Sequence, residues 1–324
     1  EYVKKLDQIG IDAVIVSDPG ILELVKESAP KLEIHLSTQA NTTNYLSANF
    51  WFKQGVKRVV VAREQSLNEI KELISKKDEG LEIEAFIHGA MCISYSGRCL
   101  LSNYMTHRDA NRGECAQSCR WKYSLVEEKR PGEYFPIAED ERGTYIFNSK
   151  DLCMLNHVPE LIEAGIDSFK IEGRMKSPYY VATVIRAYRM VIDEYFRDPK
   201  QKVNTKWIDE IKKASYRDFT TGFYFERPDE NEQLYDTNSY IRGYDFIGLV
   251  LDYDEETSIA TIEQRNRIFV GDEIEVFGPN KEYFVQKVEK MWNEEGEEIE
   301  VARRAQEKIK IKMEKPVEKM DILR

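Results

Sequence analysis

All five cysteines of the chain fall between positions 92 and 153: Cys92, Cys99, Cys115, Cys119 and Cys153. Scattered structural cysteines would not gather in one stretch, and thiolates are the soft ligands that zinc and iron–sulfur centres use. Either centre takes four of them. Zinc ribbons favour Cys-x-x-Cys pairs, whereas here six residues separate Cys92 from Cys99 and three separate Cys115 from Cys119. A set strung along a long connection suits a buried cluster better than a ribbon, so the spacing leans towards iron–sulfur and leaves zinc open. A disulfide framework fits less well, because the spacing reads as ligation rather than as the staples of a small secreted domain. Residues 90–125 also carry Arg98, Arg108, Arg112, Arg120 and Lys122 against Asp109 and Glu114. That is a local basic patch or a solvated loop.

The elements that must position these residues follow a strand-then-helix rhythm. Apolar or β-branched runs at 13–17, 33–37, 58–62, 83–88, 145–148 and 168–171 read as strands buried on both faces. Helical segments lie between them at 21–28, 44–54, 67–76 and 158–164, and a long one follows at 178–196. Ser66 and Ser177 stand at N-cap positions, with Pro178 at the first helical position of the last helix. Such units imply a parallel sheet with helices on its faces. The expected fold class is α/β, a β/α (TIM-like) barrel, with an open doubly wound sheet as the alternative. Six units are visible and a closed barrel takes eight. The chain opens on Glu1, and residues 2–9 read as the end of an amphipathic helix, so N-terminal units are expected to be missing from this chain.

One connection breaks the rhythm. The 56 residues 89–144 separate the strands at 83–88 and 145–148. A connection of that length is usually functional, and it leaves the carboxyl end of a strand, where barrel active sites lie. Beyond a further helix at 204–215 the pattern changes. Short alternating runs at 246–251, 259–263, 273–277, 284–291 and 308–313, separated by turn signals, read as a small antiparallel β-barrel. The expected domains are a β/α-barrel catalytic domain, 1–220, with a cysteine-bearing insertion at 89–144, and a C-terminal β-barrel domain, 240–324.

The formal net charge of −11 disfavours wholesale binding of polyanions. No apolar run approaches the roughly 20 residues a membrane helix needs. With the cysteine usage, this predicts a cytoplasmic chain without a membrane partner.

Longer motifs surround the cysteines. Glu84-Ala85-Phe86-Ile87-His88-Gly89-Ala90-Met91-Cys92, followed by Gly97-Arg98-Cys99-Leu100-Leu101-Ser102, resembles the signature of the collagenase-like peptidase family U32. His107 to Cys115, Cys119 to Tyr123, Asn148 to Cys153 and Lys170 to Tyr180 are similar to the same family, and the resemblance covers nearly the whole chain. The family name promises a protease, yet the chain has neither a His-Glu-x-x-His helix nor a Gly-x-Ser-x-Gly elbow. The family also contains RNA and quinone hydroxylation proteins that hold an iron–sulfur cluster. The resemblance favours the subgroup that forms 5-hydroxyuridine at the tRNA wobble position with prephenate. It implies a four-iron cluster on Cys92, Cys99, Cys115 and Cys153, with Cys119 as an extra thiol able to exchange with Cys115 and zinc as the alternative occupant.

The implied partners are tRNA and a prephenate-like dicarboxylate, and self-association into a homo-oligomer stays open. An arginine fork binds a carboxylate through two charge-assisted hydrogen bonds. Arg174, just past the strand at 168–171, is the candidate, with Glu172 beside it to orient it or move a proton. Their structural alternative is an ion pair. Arg108, Arg112, Arg120, Lys150 and Asp151 are further candidates for substrate. His88 is a ligand or a hydrogen-bond donor behind one. Tyr104, Trp121, Tyr179 and Tyr180 are candidates for stacking on a flipped base, or core residues. The competing functions are a U32 peptidase, metal-dependent or not, and a non-catalytic zinc scaffold.

Overall fold

The computed structural model describes residues 1–92, 94–121, 150–214, 216–226, 243–279 and 281–324. The chain divides into two compact units. The first holds residues 1–175, 195–203 and 217–240, and the second holds 176–194, 204–216 and 241–324.

The first unit is built on a parallel sheet. Its strands are β1 (Ala13–Val16), β2 (Glu33–Leu36), β3 (Arg58–Val60), β4 (Glu82–Ala90) and β6 (Ser168–Ile171). Neighbours pair in the order β1-β2-β3-β4-β6, all parallel. The apolar runs behave as their composition dictates. β4 is buried from Ile83 to Ala90, and Leu36, Val59, Val60, Ile83 and Ile87 are at most 1% exposed. Each such side chain removed from water contributes roughly 1.5–3 kcal/mol. Among the helices, α2 (Pro19–Ser28) buries Leu22 and Val25, and α4 (Leu67–Lys76) buries Leu67, Ile70 and Leu73. Ser66 and Glu69 close a reciprocal capping box at the start of α4, so the capping expectation holds. α1 (Tyr2–Gln8) is helical as expected, but none of its residues is buried.

Two features depart from the simple rhythm. β5 (Asp151–Cys153) runs antiparallel to the end of β4, with His88 opposite Cys153, and it pairs in parallel with β7 (Phe219–Thr220). β4 pairs directly with β6 from Glu84↔Ser168 to His88↔Ile171. The strand expected at 145–148 lies outside the described residues. Among the described strands the sheet does not close on itself, since β1 pairs only with β2 and β6 only with β4.

α7 (Pro178–Arg197) belongs to the second unit up to Glu194, and its first turn is capped by Ser177, whose hydroxyl accepts from Tyr180 N–H at 3.2 Å. α8 (Lys206–Lys212) is shorter than the helix expected at 204–215. A seven-stranded antiparallel sheet follows. It contains β8 (Gly248–Asp254), β9 (Ile259–Gln264), β11 (Glu273–Phe277), β12 (Phe284–Lys287), β13 (Met291–Trp292), β15 (Lys308–Lys312) and β16 (Ile322–Leu323). The order is β12-β11-β16-β8-β9-β15-β13, curled around Val250, Ile262, Ile274, Val276, Ile309 and Ile311. The run expected at 284–291 is split between β12 and β13. β10 (Ile268–Phe269) and β14 (Val301–Ala302) form a separate pair.

This unit also buries charge. Arg186 donates to Glu210 at 3.1 Å and to the Gly278 and Lys281 carbonyls at 2.9 and 2.6 Å. Arg324 donates to Glu210 at 2.5 Å and to Glu275 at 2.8 Å, and Lys213 joins Glu275 at 2.8 Å. Among the described residues, no helix is long and apolar enough to cross a membrane.

Candidate functional site

The loops that leave the carboxyl ends of β2, β3, β4 and β6 converge on one cavity of about 260 Å³. This is where ligand sites form in parallel α/β sheets. Four cysteines line it: Cys92, Cys99, Cys115 and Cys119. Cys92 lies two residues past the end of β4. The other three belong to a segment carrying α5 (Leu101–Thr106).

That segment is held in place by named contacts. Gln39, after β2, donates its amide to the Ala110 carbonyl at 3.0 Å. Thr38 donates to the Val61 carbonyl at 3.2 Å and to the Ser96 hydroxyl at 3.3 Å. Glu64, after β3, accepts from Ser96 N–H at 2.7 Å and from its hydroxyl at 3.1 Å. Ser102 on α5 accepts from Ala116 N–H at 2.9 Å, which fixes the turn next to Cys115. Gly97 is required by close approach: its φ is +73°, and a Cβ there would lie 2.0 Å from the Gln39 carbonyl oxygen.

The donor set fits a thiolate-bound centre. Burial pushes the Cys115 thiol up, a hydrogen bond from Gln117 N–H pulls it partly back, and the nearby Cys92 and Cys99 thiols and the Glu172 carboxylate push it up again. Thiolates crowded in this way are disfavoured unless a cation shares the site. All five cysteines are described, and no disulfide links any of them. Among the described residues, no three His, Cys, Asp or Glu side chains close on a point that would hold a single metal ion. A multi-atom cluster spans a wider set of ligands than one ion does.

Among the described residues, three cations share the cavity with the cysteines: Arg63, Lys170 and Arg174. Arg63 lies over the Phe86 ring, 3.6 Å from its centroid, and donates to Cys92 Sγ at 3.4 Å. Lys170 bonds the buried Glu84 carboxylate at 2.9 Å. Burial alone would raise the Glu84 carboxyl, yet Lys170, the Ser168 hydroxyl and Arg58 hold it below the ordinary carboxylate range. Glu172 accepts from Arg174 N–H at 2.9 Å, and its own N–H donates to the His88 carbonyl at 2.9 Å. Tyr224, from the segment after β7, donates its hydroxyl to the Phe86 carbonyl at 2.7 Å, and burial pushes that hydroxyl up.

The structure therefore gathers Cys92, Cys99, Cys115, Glu172 and Arg174 from the sequence-based set. Cys153 is buried on β5, opposite His88, and does not line this cavity, whereas Cys119 does. Asp151 is buried on β5, Lys150 stands half-buried before it, and neither lines the cavity. Arg108 and Arg112 are exposed and off the lining, and the Arg120 side chain lies outside the described residues. His88 is buried with its ring 5.8 Å from that of Phe219. Tyr104 is 82% and Trp121 46% exposed, but Tyr179 and Tyr180 are core residues of the second unit. Sequence reasoning gave Arg63 and Lys170 no role. Their positions at the carboxyl end of β3 and on β6 were the available signal.

Comparison with known proteins places the chain in a family. Residues 1–234 match peptidase family U32, and residues 242–324 match the peptidase family U32 C-terminal domain. The chain belongs to peptidase family U32. Among its relatives, tRNA hydroxylation protein P1 of Bacillus subtilis is 45% identical over 325 residues, covering 100% of this chain and 76% of that protein. The tRNA hydroxylation protein P of Escherichia coli is 35% identical over 340 residues, covering 93% and 74%. A collagenase of Porphyromonas gingivalis is 31% identical over 293 residues, covering 87% and 69%. The solved C-terminal domain of a Geobacillus thermoleovorans U32 peptidase is 46% identical with a TM-score of 0.24, covering 25% of this chain and 98% of that one.

Proposed function

We propose that this U32 chain is a tRNA-modifying hydroxylase that forms 5-hydroxyuridine at the wobble position with prephenate, at an iron–sulfur centre held in the cysteine cavity. The observation that carries the reading is one cavity lined by four cysteines and three cations, in a chain 35–45% identical to proteins named for tRNA hydroxylation. In this reading Cys92, Cys99 and Cys115 hold the centre, and either Cys119 or Cys153 completes it. Such a centre supplies electron transfer, which protein side chains perform poorly.

The chain's own residues bind and orient. Arg174 and Arg63 present guanidinium forks and Lys170 a point charge, the donor set for a dicarboxylate. Glu84 holds Lys170, and Glu172 fixes the backbone turn that carries Arg174. A second hollow of about 610 Å³ shares Cys92 and Tyr95 with the cavity and adds Phe223 and Phe225. Its aromatic lining suits a flipped base, and its carboxylates Glu64, Glu69 and Glu226 turn a phosphate away. Exposed Tyr104, Trp121, Arg108 and Arg112 then meet the neighbouring nucleotides. The parallel sheet is taken as part of a β/α barrel and the curled sheet as the accompanying small β-barrel. A cysteine peptidase needs a histidine base beside its thiol, and no histidine lines this cavity among the described residues.

The test is nucleoside mass spectrometry of tRNA from a strain lacking the gene. Loss of 5-hydroxyuridine, restored by the wild-type chain and not by Cys92→Ala or Arg174→Ala, supports the reading. An unchanged nucleoside profile refutes it.

A further inference from the structure

Arg63 makes two contacts that together fix a guanidinium against a sulfur. Its guanidinium carbon lies 3.6 Å from the centroid of the Phe86 ring, where the cation is attracted to the ring quadrupole. Its Nη1 donates to Cys92 Sγ at 3.4 Å. Phe86 is 5% exposed on β4, and its carbonyl is pinned by the Tyr224 hydroxyl at 2.7 Å. Lys170 reaches the same ring, 5.6 Å from its centroid, while its ammonium pairs with Glu84.

A thiolate-ligated centre gains negative charge when it accepts an electron. Hydrogen bonds to its sulfurs and nearby positive charge stabilise that reduced form and raise the reduction potential. A charge-assisted donor is roughly twice as strong as a neutral one. We infer that Arg63 is a positioning residue of the thiolate centre, held on Phe86 to donate to the Cys92 sulfur and so to set how readily the centre accepts an electron. The inference rests on the iron–sulfur reading above.

The experiment is an anaerobic redox titration of the purified, reconstituted chain, with dithionite as reductant and electron paramagnetic resonance as readout. Wild type, Arg63→Met, Arg63→Lys and the exposed control Arg98→Gln are compared after matched iron and sulfide contents are verified. The expected result is an approximately tenfold shift of the oxidised–reduced equilibrium towards the oxidised form in Arg63→Met, about 59 mV for one electron. Arg63→Lys, which keeps the charge but loses the planar fork, shifts less, and Arg98→Gln shifts little. If Arg63→Met does not fold, Arg63→Lys carries the test alone. Identical midpoints for wild type and the Arg63 variants overturn the inference and leave the iron–sulfur reading standing. A wild-type chain that takes up no iron and sulfide overturns both.

Discussion

Substituting Gly89 by alanine separates the two costs that shape the site's floor. Gly89 lies near the end of β4 with φ +109°, a region that residues with a Cβ rarely adopt. A methyl group there would stand 2.4 Å from the Glu172 carbonyl oxygen and 2.8 Å from the Glu172 Cβ. The backbone conformation costs about 1–2 kcal/mol. Forcing a methyl into packed surroundings adds about 1–3 kcal/mol. The expected loss for Gly89→Ala is therefore about 2–5 kcal/mol. Gly55→Ala supplies the control. Its φ is +97°, but a Cβ there meets only the flexible Lys26 side chain at 3.8 Å, so it should lose only the conformational part. Urea unfolding of both variants measures the difference, provided the slopes match that of wild type. A Gly89→Ala loss no greater than that of Gly55→Ala refutes the close approach of β4 to Glu172. The same push would move Glu172 and, through the hydrogen bond to Arg174 N–H, the arginine.

Other perturbations test the charge networks. The folded Glu84 carboxyl titrates below its ordinary value, so its ion pair stabilises the chain above that value, 4.5, and the contribution is lost as pH falls beneath it. Glu84→Gln should cost about 1–3 kcal/mol at neutral pH. The gap from wild type should narrow in melting curves taken at falling pH, and a gap independent of pH contradicts the assignment. In the second unit, Glu210→Ala leaves the Arg186 and Arg324 guanidinium groups buried without their shared carboxylate. A loss of about 3–5 kcal/mol is expected by urea unfolding, and a loss under about 1 kcal/mol would show that the network relaxes.

Local signals carried much of the fold. The N-cap Ser66 and the helical segment read at 67–76 are α4 with the bounds observed, and the run at 168–171 is β6. β5 was missed because three residues beginning with aspartate carry no periodicity, and its place is set by pairing with distant β4 and β7. The cysteines were legible as a group because they cluster in sequence. Which four face one cavity was not, since that depends on how Gln39, Glu64 and Ser102 hold the segment between them. Arg63 lies 29 positions from Cys92, and only the adjacency of β3 and β4 brings the two strands' ends together.

The most direct test of the cysteine cavity as an iron–sulfur site is iron and acid-labile sulfide analysis of the anaerobically purified chain and its five single Cys→Ala variants. The account predicts iron and sulfide together in wild type, and their loss in Cys92→Ala, Cys99→Ala and Cys115→Ala. Loss in either Cys119→Ala or Cys153→Ala identifies the fourth ligand. Stoichiometric zinc without sulfide, or iron retained in all of the Cys92, Cys99 and Cys115 variants, would contradict it.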